Sequence, residues 1–451
     1  MPSARPKGYS SRVAFSSTSG PPFPTDRSES ATGGLPPALK WKQHSNRAIV
    51  RRSTANPTHV QPWQPAIAWG CGLALALRIG LGLVMGTAWV AVETHLPETL
   101  APSLYGQLQM PSSRLGTLLL GVWPRWDAVH HLNLALRGYF AISPGDSVFY
   151  PLYAGLTRLV ALALGGRYVE AGLIISTLST AAAFAFLILI GDSLFGPESG
   201  KWAAITLAAY PTAVFLVAPY TESLFLALTL AALLLAYRGR WWQAAVPAFL
   251  ASLTRGPGLA SALPLAVIAW RQWASTNRHS LWQAASTLSA VAAPIVGGLA
   301  FLAWRSLAGF PSMGETLRQY SGITFVDPIT GLVTAIRQWV TVRDLPTSLD
   351  TLSALVFLAI TAVMALNPRW RRVELLAYML VNVVFLLCRK AEDATSLRSF
   401  SRYVLVLFPA FLIAGDYLAH TRPRTRLLYL AVSSSLLIVL GGLYALWFFI
   451  G

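Results

Sequence analysis

The strongest constraint on this chain is a succession of long apolar runs closed by charged turns. The run "SLFLALTLAALLLAY" at 223–237 is typical. It shows neither strand alternation nor an amphipathic stripe, so it reads as a helix covered on all sides by lipid or by other helices. Only 12% of the residues are charged and 54% are hydrophobic, against about 25% charged in a soluble domain. Too little polar sequence remains to coat a soluble globule, which excludes that class.

The charge follows the same logic. A net charge of +17 suits a nucleic-acid partner in many proteins. Here Lys and Arg gather at the ends of apolar runs, as the positive-inside rule requires. The basicity reads as membrane topology, with no nucleic acid implied. Cys71 and Cys388 lie in or beside apolar runs and offer neither a disulfide framework nor metal-ligand spacing.

Two regions are expected. Residues 1–63 are rich in Ser, Pro, Gly and Thr, with nine Lys/Arg against Asp26 and Glu29. They read as a disordered basic cytoplasmic tail that can meet anionic membrane lipids. No apolar run opens the tail, so it is not a cleavable signal. Residues 64–451 then form an all-α polytopic domain in the cell membrane with about eleven spans, near 66–92, 168–190, 202–218, 222–237, 241–255, 258–273, 283–307, 350–366, 373–388, 401–419 and 426–449.

The tail sets the N-terminus in the cytoplasm. The basic turns "YRGRWW" (237–242), "WRQWASTNRH" (270–279), "NPRWRR" (367–372) and "HTRPRTR" (420–426) are then all cytoplasmic. The segment "FYPLYAGLTRLVALAL" (149–164) carries Arg158 and is shorter than the ~20 residues of a crossing. It reads as a re-entrant or interfacial helix, and 93–166 becomes one large external loop. The pair 241–255 and 258–273 decides the parity, because a single kinked crossing there would invert everything downstream.

The external loop holds "PRWDAVHHLNLALRGYF" (124–140), a dense set of polar groups in an apolar chain. As a helix it places Val129, Leu132, Leu136 and Phe140 on one stripe and Asp127, His130 and His131 on another. That describes an interfacial amphipathic helix with its polar face in water. A bland reading is equally available: Asp127 as an N-cap and Arg125 snorkelling.

Further polar residues fall at the same outer ends: Tyr220 and Glu222 in "APYTESLF", Arg255 in "SLTRGPGL", and Arg398, Arg402 and Tyr403 in "SLRSFSRYVLVLFP". Alone, Glu222 suits a helix macrodipole and Arg402 an interface. Together they place carboxylates and guanidiniums at one face of a membrane bundle, where such groups are costly and mark a substrate site. A lipid-phosphate substrate fits, with its chain among apolar helices, its phosphate on arginine and a carboxylate to take a proton from an acceptor hydroxyl.

The motif "RWDAVHHLNLALRGYF" followed by "VFYPLYAGLTRL" resembles the PIG-V family of mannosyltransferases, which shows an RWD triplet, a GY pair and an F-[FY]-P stretch. The block 210–259 is similar to the family's Y-[ST]-E-[AS]-L-F element, basic turn and R-x-x-G, here Arg255 and Gly258. "SRYVLVLFPAFL" resembles its C-terminal segment. The resemblance covers roughly 120–260 and 398–412. It implies a GT-C fold glycosyltransferase that inverts configuration as it takes mannose from a polyprenyl-phosphate donor to a lipid-linked or glycan acceptor on the non-cytoplasmic face.

On that basis Asp127 is the expected general base. Arg125, Trp126, His130, His131, Tyr139, Tyr150, Tyr220, Glu222, Arg255, Arg402 and Tyr403 form the expected substrate-binding set. Known members of the family act in glycosylphosphatidylinositol (GPI) assembly. The basic tail lies outside the family pattern and the compact loops fit a bacterial member, so the acceptor stays open. No cofactor is expected, and a divalent metal on Asp127, His130 and His131 is disfavoured because adjacent His side chains do not converge on one ion. The alternative functions are a transporter or flippase of lipid-linked sugars, which calls for inverted repeats meeting at mid-membrane, and a non-catalytic partner in a membrane complex.

Overall fold

A computed structural model describes residues 63–92, 104–275, 280–392 and 396–451. Apart from Trp63, the expected tail lies outside the described residues, as does the start of the expected external loop. In chain order the main helices are α1 (Trp63–Val92), α2 (Asp127–Arg137), α3 (Pro151–Ala163), α4 (Tyr168–Phe195), α5 (Ser199–Ala208), α6 (Glu222–Tyr237), α7 (Trp241–Ser252), α8 (Ala262–Ala274), α9 (Leu281–Leu307), α10 (Met313–Ser321), α11 (Pro328–Val342), α12 (Leu345–Leu366), α13 (Val373–Leu387), α14 (Phe408–Ala419) and α15 (Pro423–Ala445). The chain is an all-α, multi-pass membrane protein.

The span count differs from the expectation. Among the described residues, α1, α4, α9, α12 and α15 are each long and apolar enough to cross a bilayer alone. A sixth candidate is bent by 76° between Phe400–Val406 and Phe408–Ala419. The remaining expected spans fall on shorter helices. Proline accounts for both breaks. Pro211 stops the run at 202–218, which divides into α5 and the single turn Val214–Val217, and Pro409 stands in the first turn of α14. Neither ring can donate to the carbonyl one turn back.

Polar groups collect in two layers. Tyr237, at the C-terminus of α6, donates to Glu374 at 3.3 Å, and Arg271 reaches the same carboxylate at 2.5 Å. Arg369 and Trp370 bond Asp416, and Arg426 bonds the carbonyls of Leu418 and Ala419. All four basic turns therefore meet in one layer. Glu222, at the other end of α6, belongs to the second layer, about 22 Å away at 1.5 Å per residue.

The pair 241–255 and 258–273 is a hairpin. Trp241 Nε1 donates to Gln272 at 3.2 Å and closes its base, while Arg255 at its tip reaches Glu222 in the opposite layer. Gly258 lets the chain turn so tightly, since a Cβ there would stand 2.5 Å from the Ser252 Cα.

Between 307 and 350, where no span is expected, α10 and α11 flank a strand, β1 (Ile323–Phe325), which pairs antiparallel with β2 (Arg389–Ala391). This ribbon ties the segment before α11 to the end of α13.

The layers allow a test of orientation. In a background lacking Cys71 and Cys388, a cysteine at Ser112 is expected to react with an impermeant thiol reagent in intact cells, and one at Ser275 is not. Labelling at Ser275 alone would reverse the orientation.

Candidate active site

Four charged side chains from four separate segments form one chain of contacts. Arg402 NH1 donates to Asp127 Oδ2 at 2.6 Å, and Arg402 Nε donates to Glu222 Oε1 at 2.5 Å. Arg255 NH1 reaches the same Glu222 oxygen and also donates to Thr221 Oγ1 at 3.1 Å. Glu222 is fully buried and Arg402 nearly so, whereas the Asp127 side chain stays 35% exposed. Asp127 is the open end of an otherwise covered network.

The local fold explains that opening. Trp126 is the N-cap of α2, with φ +53°, a value strained for a bulky residue, and its side chain caps nothing. It is held by Trp447, Phe449 and a 3.3 Å bond to the Phe448 carbonyl. Asp127 is thereby the first helical residue, not the cap, and its carboxylate turns to Arg402. The capping reading of Asp127 is corrected on this point. Burial pushes its carboxyl up, but Arg402 beside it outweighs that and holds it down at about 2.

The expected amphipathic helix is corrected in part. On its polar stripe His130 is exposed and Asp127 partly so, but His131 is buried along with Val129 and Leu132, and Phe140 lies beyond the helix end and is exposed. Gly138, at φ +76°, ends α2. The loop after it folds back over the helix, with Phe149 against both histidines.

His130 and His131 diverge. His130 Nδ1 meets Asp146 at 2.6 Å; burial pushes its pKa down, but the Asp146 contact outweighs that and raises it. His131 packs on Phe149, Tyr153 and Tyr220. Burial there pushes it down to about 3, so it is neutral, with Nδ1 unpartnered.

The other expected residues separate into those near Asp127 and those elsewhere. Arg125 is wholly buried and does not hold Asp127. It donates to the carbonyls of Ala445, Gly121 and Pro124 and to the Tyr105 hydroxyl, which makes it a strut between the loop and the end of α15. Tyr220 donates to the Arg125 carbonyl at 2.8 Å and lies 4.4 Å beneath Arg402. Tyr403 lies beside Arg255 and Arg402. Tyr139 and Tyr150 instead pack on Phe301, and Tyr139 also on Trp304.

Two arginines escaped the sequence reading. Arg305 bonds the carbonyls of Ser147 and Pro311 and anchors the turn that carries Asp146. Arg389, on β2, lies 4.5 Å from the Tyr403 ring. The sequence held a signal for Arg389: "RK" at the end of α13 opposite the basic turns breaks the positive-inside pattern.

Two outcomes follow. Glu222→Gln leaves two buried guanidiniums without their shared anion, so it should cost ~3–5 kcal/mol. Thermal unfolding in detergent is expected to show a far larger loss for Glu222→Gln than for Asp127→Asn. The His130–Asp146 contact raises a histidine pKa, so its contribution is full below the unfolded value of about 6.5 and fades as pH rises through the folded value. The stability gap between wild type and Asp146→Asn should be wider at pH 6 than at pH 9.

Comparison with known proteins bears on this site. Residues 85–302 match the family Mannosyltransferase (PIG-V). The chain is 35% identical over 177 residues to the GPI alpha-1,6-mannosyltransferase 2 of Rattus norvegicus, which is 38% of this chain and 35% of the rat protein. The Mus musculus and Homo sapiens proteins of the same name are 34% and 32% identical over 177 and 180 residues, again 38% of this chain and 35% of theirs. The chain thus spans about a third of the length of these curated relatives. Asp127, Glu222 and Arg255 fall inside the matched segment, Arg389, Arg402 and Tyr403 outside it, and it is over 85–302 that the chain is similar to the PIG-V mannosyltransferase family.

Proposed function

We propose that this protein is a membrane mannosyltransferase that moves mannose from a polyprenyl-phosphate carrier to a hydroxyl of a lipid-linked or glycan acceptor on the non-cytoplasmic face. The observation that carries the reading is the Arg402–Asp127 contact at the open end of a buried network, with Asp127 inside the segment that matches this family. Arg402 keeps Asp127 ionised and fixes one oxygen, and the partial exposure of the carboxylate admits an acceptor.

In the proposed step the acceptor hydroxyl oxygen attacks the anomeric carbon from the face opposite the phosphate. The carbon–oxygen bond to phosphate breaks, the carrier leaves as its phosphate anion, and the hydroxyl proton passes to Asp127. An alcohol gives up its proton only as the new bond forms, so a carboxylate of low pKa can still accept it late in the step. Glu222, which has no exposure, is reserved for holding Arg255 and Arg402.

The test is transfer from radiolabelled polyprenyl-phosphate-mannose in membranes holding the full chain. Wild type should label an acceptor. Asp127→Asn keeps the shape and should lose about 10²–10⁴-fold in rate while its unfolding temperature changes little. A well-folded Asn variant with near-normal turnover removes the base from Asp127.

A further inference from the structure

Arg255 and Arg402, both in the expected substrate-binding set, are already paired with carboxylates. Arg402 is shared between Asp127 and Glu222, and Arg255 meets Glu222. Three guanidiniums nevertheless surround one ring: Arg389, Arg255 and Arg402 stand 4.5, 5.0 and 5.4 Å from Tyr403. Two carboxylates answer three cations, and the surplus positive charge falls on Arg389, which has no carboxylate partner among the described residues.

The ribbon fixes where Arg389 points. Ala391 is buried at 2% exposure, and side chains two apart on a strand share a face. Arg389 is therefore turned inward, with Lys390 between them on the other face. The pairing Phe325↔Arg389 holds that register. Arg389 and Tyr403 are both half-buried, so the surplus charge is partly open.

We propose that Arg389, with the phenol of Tyr403 and with Arg255 behind it, seats the phosphate ester of a lipid phosphate. This rests on the proposed function, in which a carrier phosphate must sit beside Asp127. Arg402 is then the residue that holds Asp127, and Arg389 the one that holds the anion. A planar fork over an aromatic ring suits a phosphate diester in the donor and the monoester released after transfer.

The test uses the full-length protein in detergent with farnesyl phosphate, farnesol and inorganic phosphate as probes, alongside the transfer assay. Arg389→Gln should weaken farnesyl phosphate binding about 10- to 100-fold, the worth of a charge-assisted hydrogen bond, and raise the KM for carrier sugar with little change in kcat. Arg389→Lys, the milder variant should Gln misfold, keeps charge without the fork and should fall between. Farnesol binding should not change, and inorganic phosphate should compete poorly. Unchanged farnesyl phosphate binding in both variants overturns the seat even if mannose transfer proceeds. Binding that is lost in a protein with no transferase activity keeps the seat and removes the proposed function. Equal competition by inorganic phosphate would make the site one for a free anion and overturn the lipid assignment.

Discussion

The structure of the site depends on one guanidinium. Arg402 joins the first loop, through Asp127, to the start of α6, through Glu222, although 275 residues separate it from the former. A buried arginine is tolerable only when its charge is met and its donors are used. Arg402 meets both conditions with two carboxylates, and Tyr220 packs against its face. Asp350 supports it from behind: its carboxylate accepts from the backbone of Ser399 and Ser401, fixing the turn on which Arg402 stands. Removing Glu222 leaves positive charge in a place without water, whereas Asp127 stands at the open edge of the network.

A second set of contacts places the loop. Arg125 binds the carbonyl of Ala445, Tyr444 donates to the Trp123 carbonyl, and Trp126 reaches Phe448. The end of α15 is in this way a clamp on the RWD triplet, and the strained Trp126 backbone is held in place by it. The arginine and tryptophan of the triplet serve the geometry of its aspartate.

Much of this was legible beforehand. Long apolar runs gave the membrane class, and charges at the outer ends of spans pointed to Asp127, Glu222, Arg255 and Arg402, which do come together. Periodicity misled on α2, because it reports a stripe without saying what covers it; the returning loop with Phe149 buries His131 from the side that the pattern assigned to water. The direction of Arg125 depends in part on the Ala445 carbonyl, 320 residues away, which no local pattern encodes. The ribbon of β1 and β2 joins three-residue strands far apart in sequence, too short to show alternation. Pro211 and Pro409 were visible as letters, but hydropathy averaging passes over a single residue.

The spacing of the polar layers has a mechanical consequence. Glu222 and Tyr237 bound α6 and lie about 22 Å apart along it, while the hydrocarbon of a bilayer is about 30 Å thick. Both layers cannot reach headgroups at full thickness. Either the lipid thins beside this bundle or the carboxylate–arginine network sits several ångströms below the headgroup plane. In the second arrangement the carrier proposed above need not leave the oil to react; its polar end would sink toward a recessed cleft while its tail remains solvated by its neighbours. Bilayer thickness then becomes a variable of the reaction, acting on how far each headgroup must descend.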